Sequence, residues 1–415
     1  MARFFDEMNG DGGGVRDAYR QVAAWLSEIP PDRLAAHRRE AEAFFRRVGI
    51  TFNVYGDDQG AERLIPFDLI PRVLTAAEWA RLAKGLEQRV KALNAFIADA
   101  YGARDIVRAG LVPEELIVGN PAYQPEMARF QPPGGVHVHI AGIDVVRTDA
   151  DTFHVLEDNA RTPSGVSYML ENREVSSRLL PDLCRRLRIA PVDNYPELLL
   201  RTLRSVAPRA ASGDPTIVLL TPGAFNSAYY EHSFLADRMG VELVEGRDLF
   251  VRDSAVFMRT TEGPKRVDVI YRRIDDDFLD PIAFDPSSML GVPGLMAAYK
   301  AGNVTLANAV GTGVADDKAV YSYMPEIVRF YTGEEPLLKN VPTWRCREPD
   351  ALKHVLANLP ELVVKEVSGS GGYGMLVGPH ATKAQLEEFA AKLRADPAGF
   401  IAQPTLALST VPCLV

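Results

Sequence analysis

Four glycines crowded into six residues (Gly369, Gly371, Gly372 and Gly374) constrain this chain more than any other feature. They lie in Leu362-Val-Val-Lys-Glu-Val-Ser-Gly-Ser-Gly-Gly-Tyr-Gly374 and satisfy the spacing G-x-G-x-x-G. A dinucleotide-binding turn of that spacing has to open a helix. Here Met375-Leu-Val377 reads instead as a short strand ending at Gly378-Pro379. Glycines so dense would weaken an ordinary hairpin. They suit a flap whose backbone N–H groups close over phosphates, because glycine permits the close approach and positive φ of such a nest. Ser368, Gly369, Ser370, Gly371 and Gly372 are the phosphate-contacting candidates, and Lys365, ending the first strand, can neutralise phosphate charge. A glycine-rich hairpin with a surface lysine is the plainer alternative. No G-x-x-x-x-G-K-[ST] occurs, so this is not a P-loop.

Asp144, Glu157 and Asn159 form the second group. Residues two apart on a strand share a face, which puts Glu157 and Asn159 together. If Val136–Arg147 and Thr152–Asp158 fold about Ala150–Asp151, Glu157 falls opposite Asp144, with Cβ atoms roughly 5 Å apart. Two carboxylates that close repel unless a cation or a proton lies between them. An all-oxygen set of this size suits Mg²⁺, which completes its shell with phosphate oxygens and water. The alternative is a solvated polar hairpin face. Asp158 points to the opposite face and reads as structural. Lys318, in Val314-Ala-Asp-Asp-Lys-Ala-Val320, is a further phosphate candidate, and a solvated lysine is its plain alternative.

Several function classes are excluded by composition. At 415 residues the chain exceeds one ordinary domain, and 47 % hydrophobic with 24 % charged residues is a globular balance. No apolar run approaches the length of a membrane span, and acidic residues near Met1 stand where a secretory leader needs apolar ones. A cytoplasmic protein is the expectation. Net charge −9 and a pI near 5.4 give no basic surface for nucleic acid. Three scattered cysteines suggest neither a disulfide framework nor zinc, and His137 with His139 lacks a third metal ligand. Oligomeric state is not legible.

Along the chain, residues 15–48 read as two helices broken at Pro30-Pro31, and 75–101 as a long helix opened by a Thr75/Glu78 capping box. Thr216–Leu220 is a buried-type strand followed by a helix from about Asn226, then strands near 242 and at 267–273. That alternation predicts an open parallel α/β layer. The last hundred residues give helices near 322–331 and 383–395 and strands at 361–365, 373–377 and 399–403.

These groups together resemble the circularly permuted branch of the ATP-grasp superfamily (type 2), which also includes the synthetase domain of glutathionylspermidine synthase. The resemblance is carried by Gly142-Ile-Asp144, Leu156-Glu-Asp-Asn-Ala-Arg-Thr-Pro-Ser-Gly165, Leu220-Thr-Pro-Gly-Ala-Phe-Asn-Ser-Ala-Tyr-Tyr-Glu-His232, Tyr271-Arg-Arg-Ile-Asp-Asp-Asp277, Asn308-Ala-Val-Gly-Thr-Gly-Val-Ala-Asp-Asp-Lys318 and the glycine loop. An ordinary ATP-grasp chain places its flap before its metal ligands. Here Asp144, Glu157 and Asn159 precede Lys365 by about two hundred residues, and that order marks the permuted branch.

The resemblance implies an α/β (α+β) fold in four parts. These are a helical N-terminal section (1–115), an ATP-grasp part with the metal hairpin (116–207), an inserted open α/β domain of the pre-ATP-grasp kind (208–310) and an ATP-binding part (311–415). Relatives continue beyond the Leu-Ser-Thr-Val-Pro412 stretch, so the last part is expected to be shortened. ATP and Mg²⁺ are the implied cofactors. Asp144, Glu157 and Asn159 would hold the metal, Lys318 and Lys365 would contact phosphates, and Ile401, Ala402 and Gln403 would line the adenine pocket. Glutathionylspermidine synthase carries an arginine two residues before its metal-binding aspartate, where this chain has Gly142. Arg161 or Arg147 would supply the missing cation.

The implied chemistry is phosphorylation of a small-molecule or peptide carboxylate, then attack by an amine on the acyl phosphate. The product is an amide or peptide bond. Lys365, Arg161 and Arg272 are the catalytic candidates. On the substrate side stand Ser164, Asn226, Tyr229, Glu231, His232, Arg272 and Arg273, the two arginines as a bidentate carboxylate clamp. Asp275-Asp-Asp277 could attract a cationic amine or be an acidic surface loop. A phosphotransferase on the same nucleotide site, or a nucleotide-binding subunit without turnover, are the competing readings.

Overall fold

The computed structural model describes residues 4–10, 12–53, 62–64, 67–367 and 374–414. The first helices run Arg20–Glu28 and Pro31–Val48, divided at Pro30-Pro31. Pro31 can open the second helix because its missing N–H would have no partner in the first turn. Tyr19, Val22, Trp25 and Phe45 pack there with Leu179, Leu180 and Leu183 from residues 166–187. The long helix, Ala76–Ala100, carries the expected capping box of Thr75 and Glu78. Its inner face (Leu93, Phe96, Ile97) is fully buried in one core with Val218, Leu220, Ile270 and Leu306.

Those last four residues belong to a parallel sheet. Its strands lie in the order Thr305–Ala307, Val269–Arg272, Ile217–Leu220, Glu242–Val244. The near-continuous apolar runs at 217–220 and 269–271 reflect burial on both faces. A second, antiparallel sheet of Leu249–Arg252, Ala255–Thr260 and Gly263–Val267 follows the Glu242–Val244 strand, and the sequence reading did not anticipate it. Its first turn is made by Asp253 and Ser254, at φ of 52° and 55°. Two central residues in the left-handed region give the twist that a tight hairpin requires.

The acidic hairpin pairs Gly142–Arg147 with Phe153–Asn159, and Lys339–Asn340 adds a short parallel strand. The predicted strand start at Val136 is not found: residues 136–141 run outside any strand. A fourth sheet has the order Trp344–Arg345, Phe400–Pro404, Leu362–Glu366, Met375–Val377, all antiparallel. Strand Leu362–Glu366 and strand Met375–Val377 are thus the two sides of the glycine loop, as expected from their spacing. The architecture is the mixed α/β (α+β) class implied by the sequence.

Candidate active site

The site is built where the open end of the acidic hairpin meets the loops leaving the parallel sheet. In the hairpin, Arg147 pairs Phe153, Val146 pairs His154 and Val145 pairs Val155; then the register slips by one, and Asp144 pairs Glu157. The unpaired extra residue, Leu156, is a bulge. Without it the turn register would set Leu156 opposite Asp144. With it the two carboxylates face one another, and they share a hydrogen bond. Loss of hydration, then the hydrogen bond and charge of Glu157, push the Asp144 carboxyl up to about 6.

Two cations close on this pair. Lys318 Nζ lies 3.6 Å from Glu157 Oε2. Lys365 feels the charges of Glu157, Asp144 and Lys318, and burial pulls its ammonium below the ordinary lysine value. The two lysines come from distant stretches, but the Lys318 amide N donates to the carbonyl of Val367 at 3.0 Å. Lys318 opens a short helix whose cap is Asp317, accepting from the Ala319 and Val320 amides.

Asn159 closes the hairpin's outer rung: its amide nitrogen donates to the Gly142 carbonyl at 3.3 Å. Its Oδ1 would be the atom able to serve a metal. A side chain at 142 would place Cβ 2.8 Å from Pro163 Cβ, which explains why glycine stands there. Among the described residues no cluster of three His, Cys, Asp or Glu could hold a metal. Two carboxylates and an amide fit a hard ion that takes its remaining ligands from phosphate and water. Such an ion would take the place of the proton that the hydrogen bond between Asp144 and Glu157 requires.

Beside this group is a cavity of about 200 Å³ lined by Asn120, Gln124, Arg161, Asp276, Asp277 and Asp316, with Val367 at its border. Arg161 Nε sits 3.5 Å from both Asp275 and Asp316. Burial drives Asp316 up to about 7, although the Ala160 amide donates to it at 2.5 Å. Sequence reasoning missed Asp316; its only signal was adjacency to Asp317-Lys318. Arg147, the alternative cation, is buried elsewhere against Glu78 at 2.7 Å.

The other predicted residues are placed differently. Arg272 is fully buried and donates to the carbonyls of Asn308, Ile274 and Ala309 while pairing with Asp276 at 2.7 Å. Its donors are spent on the main chain, so it presents no fork to a substrate. Arg273 holds the carbonyls of Thr162 and Pro163 and the Ser164 hydroxyl, and lies 3.5 Å from Glu231. Glu231 in turn accepts from the Gly165 and Ser167 amides at 2.8 and 3.0 Å. This buried knot ties the 162–167 loop to the sheet, and the expected carboxylate clamp is not formed. The His232 ring meets Thr221 Oγ1 at 2.9 Å, and burial lowers it to about 3, so it stays neutral. Asn226 caps the Ala228 amide, and Tyr229 begins the helix to Met239.

Ile401 and Ala402 are flanked on both edges, by Arg345 and Trp344 and by Lys365 and Val364. Their main chain is therefore not open to an adenine edge. Gln403 donates from its side chain to Thr343 Oγ1. Ser368, Gly369, Ser370, Gly371 and Gly372 lie outside the described residues. Burial lowers His137 and His139 to about 4, which fits neutral core rings.

The model of the circularly permuted ATP-grasp type 2 family matches residues 71–415. A Synechocystis protein is 50 % identical over 412 residues, covering 99 % of this chain and 85 % of that one. A Mycobacterium tuberculosis protein is 50 % identical over 411 residues, covering 99 % and 74 %. A Frankia alni protein provisionally named glutamate–cysteine ligase 2-3 is 43 % identical over 410 residues; the match covers 98 % of this chain but 47 % of that one. Among solved structures, a glutathione synthetase-like effector from Globodera pallida in its apo form aligns with a TM-score of 0.57 at 10 % identity, over 92 % of this chain and 83 % of that one. At that identity the likeness is one of fold. With the match running over most of its length, the chain belongs to the circularly permuted ATP-grasp type 2 family.

Proposed function

We propose that the protein is an ATP- and Mg²⁺-dependent carboxylate–amine ligase working through an acyl phosphate. The observation that carries this reading is the quartet of Asp144, Glu157, Lys318 and Lys365 at the base of the glycine loop. Asp144, Glu157 and Asn159 would hold Mg²⁺, which supplies charge stabilisation on the phosphates. Lys318 and Lys365 neutralise the charge that accumulates on the transferring phosphoryl group. A carboxylate oxygen attacks the γ-phosphorus and ADP leaves. The amine nitrogen then attacks the acyl carbon and inorganic phosphate leaves.

The acidic cavity favours a cationic amine on the acceptor side. Asp316, titrating near neutrality, is suited to take the proton that the amine must lose. Arg161, between Asp275 and Asp316 in the same cavity, would be the cation that steadies the acyl phosphate. The Frankia name supports a ligase class. Because this chain matches less than half of that protein, the name says nothing of which amine or carboxylate is used here.

Product analysis is the test. A ligase releases ADP and phosphate in an amine-dependent way and leaves a new amide. A phosphotransferase leaves a stable phosphorylated product, and a binding subunit turns nothing over. Lys365→Ala and Glu157→Ala should each abolish turnover while the protein stays folded. Unchanged ADP release in both variants refutes the assignment.

A further inference from the structure

An antiparallel hairpin is closed at one end by its turn and free to splay at the other. In this protein the metal-facing residues sit at the free end: Gly142 and Asn159 are the last paired rung, and Asp144 with Glu157 lies two residues inside it. Ligand oxygens must be held to within about half an ångström to bind a small ion well. Something has to replace the missing turn.

That something is Asn308. Its side chain is buried, with the residue 2 % exposed. Oδ1 accepts from the amides of His139 and Ile140 at 2.7 and 2.9 Å. Nδ2 donates to the Ile140 carbonyl at 2.7 Å, to Ala160 at 2.8 Å and to Arg161 at 3.3 Å. Ile140 leads into one strand of the hairpin and Ala160 follows the other, so one amide group bonds both sides of the open end. Without its N–H groups the Ile140 and Ala160 carbonyls would face each other as bare acceptors in a dry place. The Asn308 carbonyl is itself held by Arg272 Nε at 2.8 Å, so the clasp is anchored to the parallel sheet.

We propose that Asn308 is a positioning residue for the metal site: it sets the spread of the hairpin's open end and thereby the spacing of Asp144, Glu157 and Asn159. This rests on the Mg²⁺ reading above. A control is built into the molecule. Asn94, on the long helix, makes the same kind of clasp on the same lead-in, accepting from the His137 and Val138 amides and donating to the Val138 carbonyl. Among the described residues, Asn94 makes no hydrogen bond to the returning strand.

The experiment measures Mn²⁺ binding in the presence of a non-hydrolysable ATP analogue, by the electron paramagnetic resonance of free and bound Mn²⁺. Thermal unfolding is followed on the same samples. Asn308→Ser should weaken Mn²⁺ by tenfold or more, the usual scale for loss of a residue supporting metal ligands. Asn94→Ser should lower thermal stability and leave Mn²⁺ affinity within twofold of the parent. If Asn308→Ser does not fold, Asn308→Asp, which keeps both acceptor bonds and loses the donors, gives the same readout. A folded Asn308 variant with parental Mn²⁺ affinity overturns the proposal, as does an equal loss in Asn94→Ser. Glu157→Gln separates the two levels. If it abolishes Mn²⁺ binding while Asn308 variants do not, the clasp is wrong and the metal site stands. If it leaves Mn²⁺ binding unchanged, the metal reading fails and the clasp proposal falls with it.

Discussion

Arg89 grips Asp158 through two hydrogen bonds of 2.6 Å, with both side chains buried. Asp158 lies on the face of its strand opposite Glu157, so the long helix braces the back of the strand whose front bears the site. Arg89 also donates to Asn340 Oδ1 and covers the Tyr321 ring, whose hydroxyl donates to the Val155 carbonyl at 2.6 Å. Arg89→Ala would strand a buried carboxylate, and such losses cost about 3–5 kcal/mol. Arg89→Ala should therefore unfold at much lower denaturant than the parent. Restoring neutrality with Asp158→Asn in the same chain should recover part of that loss.

Arg272 and Lys365 separate structure from chemistry. Arg272→Met leaves the carbonyls of Asn308, Ile274 and Ala309 without their donor and Asp276 without its counter-ion. The expected outcome is a drop in stability of about 3 kcal/mol or more, read by chemical denaturation. Were Arg272 a substrate clamp, the same change would raise KM and spare stability. Lys365→Ala should do the opposite of Arg272→Met, abolishing turnover with little change in unfolding.

Gly142→Ala tests the close approach of Pro163. A Cβ at 2.8 Å from a proline ring carbon has no flexible neighbour to push aside. Overpacking of this kind typically costs about 1–3 kcal/mol. The melt should fall accordingly, and metal affinity should fall with it, since Asn159 bonds the Gly142 carbonyl.

Asp316 yields a pH-dependent prediction. Its folded-state pKa, about 7, stands above the 3.8 of a free aspartate. The folded form therefore binds this proton more tightly than the unfolded chain, and the carboxyl lowers stability progressively as pH rises from about 4 to 7. Above that window the penalty is fully present. Asp316→Asn should be stabilising at pH 8, by about 1–2 kcal/mol after allowance for the lost Arg161 pair, and near neutral at pH 4. The same variant should turn over slowly if Asp316 takes the amine proton. A variant no more stable at pH 8 than the parent would show the carboxyl to be comfortably ionised.

Much of the site was legible because it is local. The partnership of Asp144 and Glu157 follows from a turn between them, and the glycine loop announces its two strands. Even so, the turn closes one register short of that partnership, and only the Leu156 bulge brings the carboxylates opposite one another. No alternation pattern reveals an extra residue of that kind. Arg272 and Arg273 were misread for a different reason. At a strand end an arginine looks free, and what consumes these two are carbonyls and a carboxylate up to 111 residues away. Glu231 looked like a substrate ligand because its true partners, the amides of Gly165 and Ser167, lie more than sixty residues earlier. The 249–267 sheet escaped because its turn is Asp253-Ser254, a weaker marker than the glycine-containing pairs that usually signal such a hairpin.

With both carboxyls ionised, the quartet at the hairpin's edge carries two positive and two negative groups. A divalent cation arriving alone meets two ammoniums, and a triphosphate arriving alone meets two carboxylates. If the quartet holds Mg²⁺ and ATP as proposed, each would be held off until the other is present and the two would be thermodynamically linked: whatever factor one adds to the other's affinity is returned in equal measure. On the proposed reading, such neutrality at rest would favour the pair over either half.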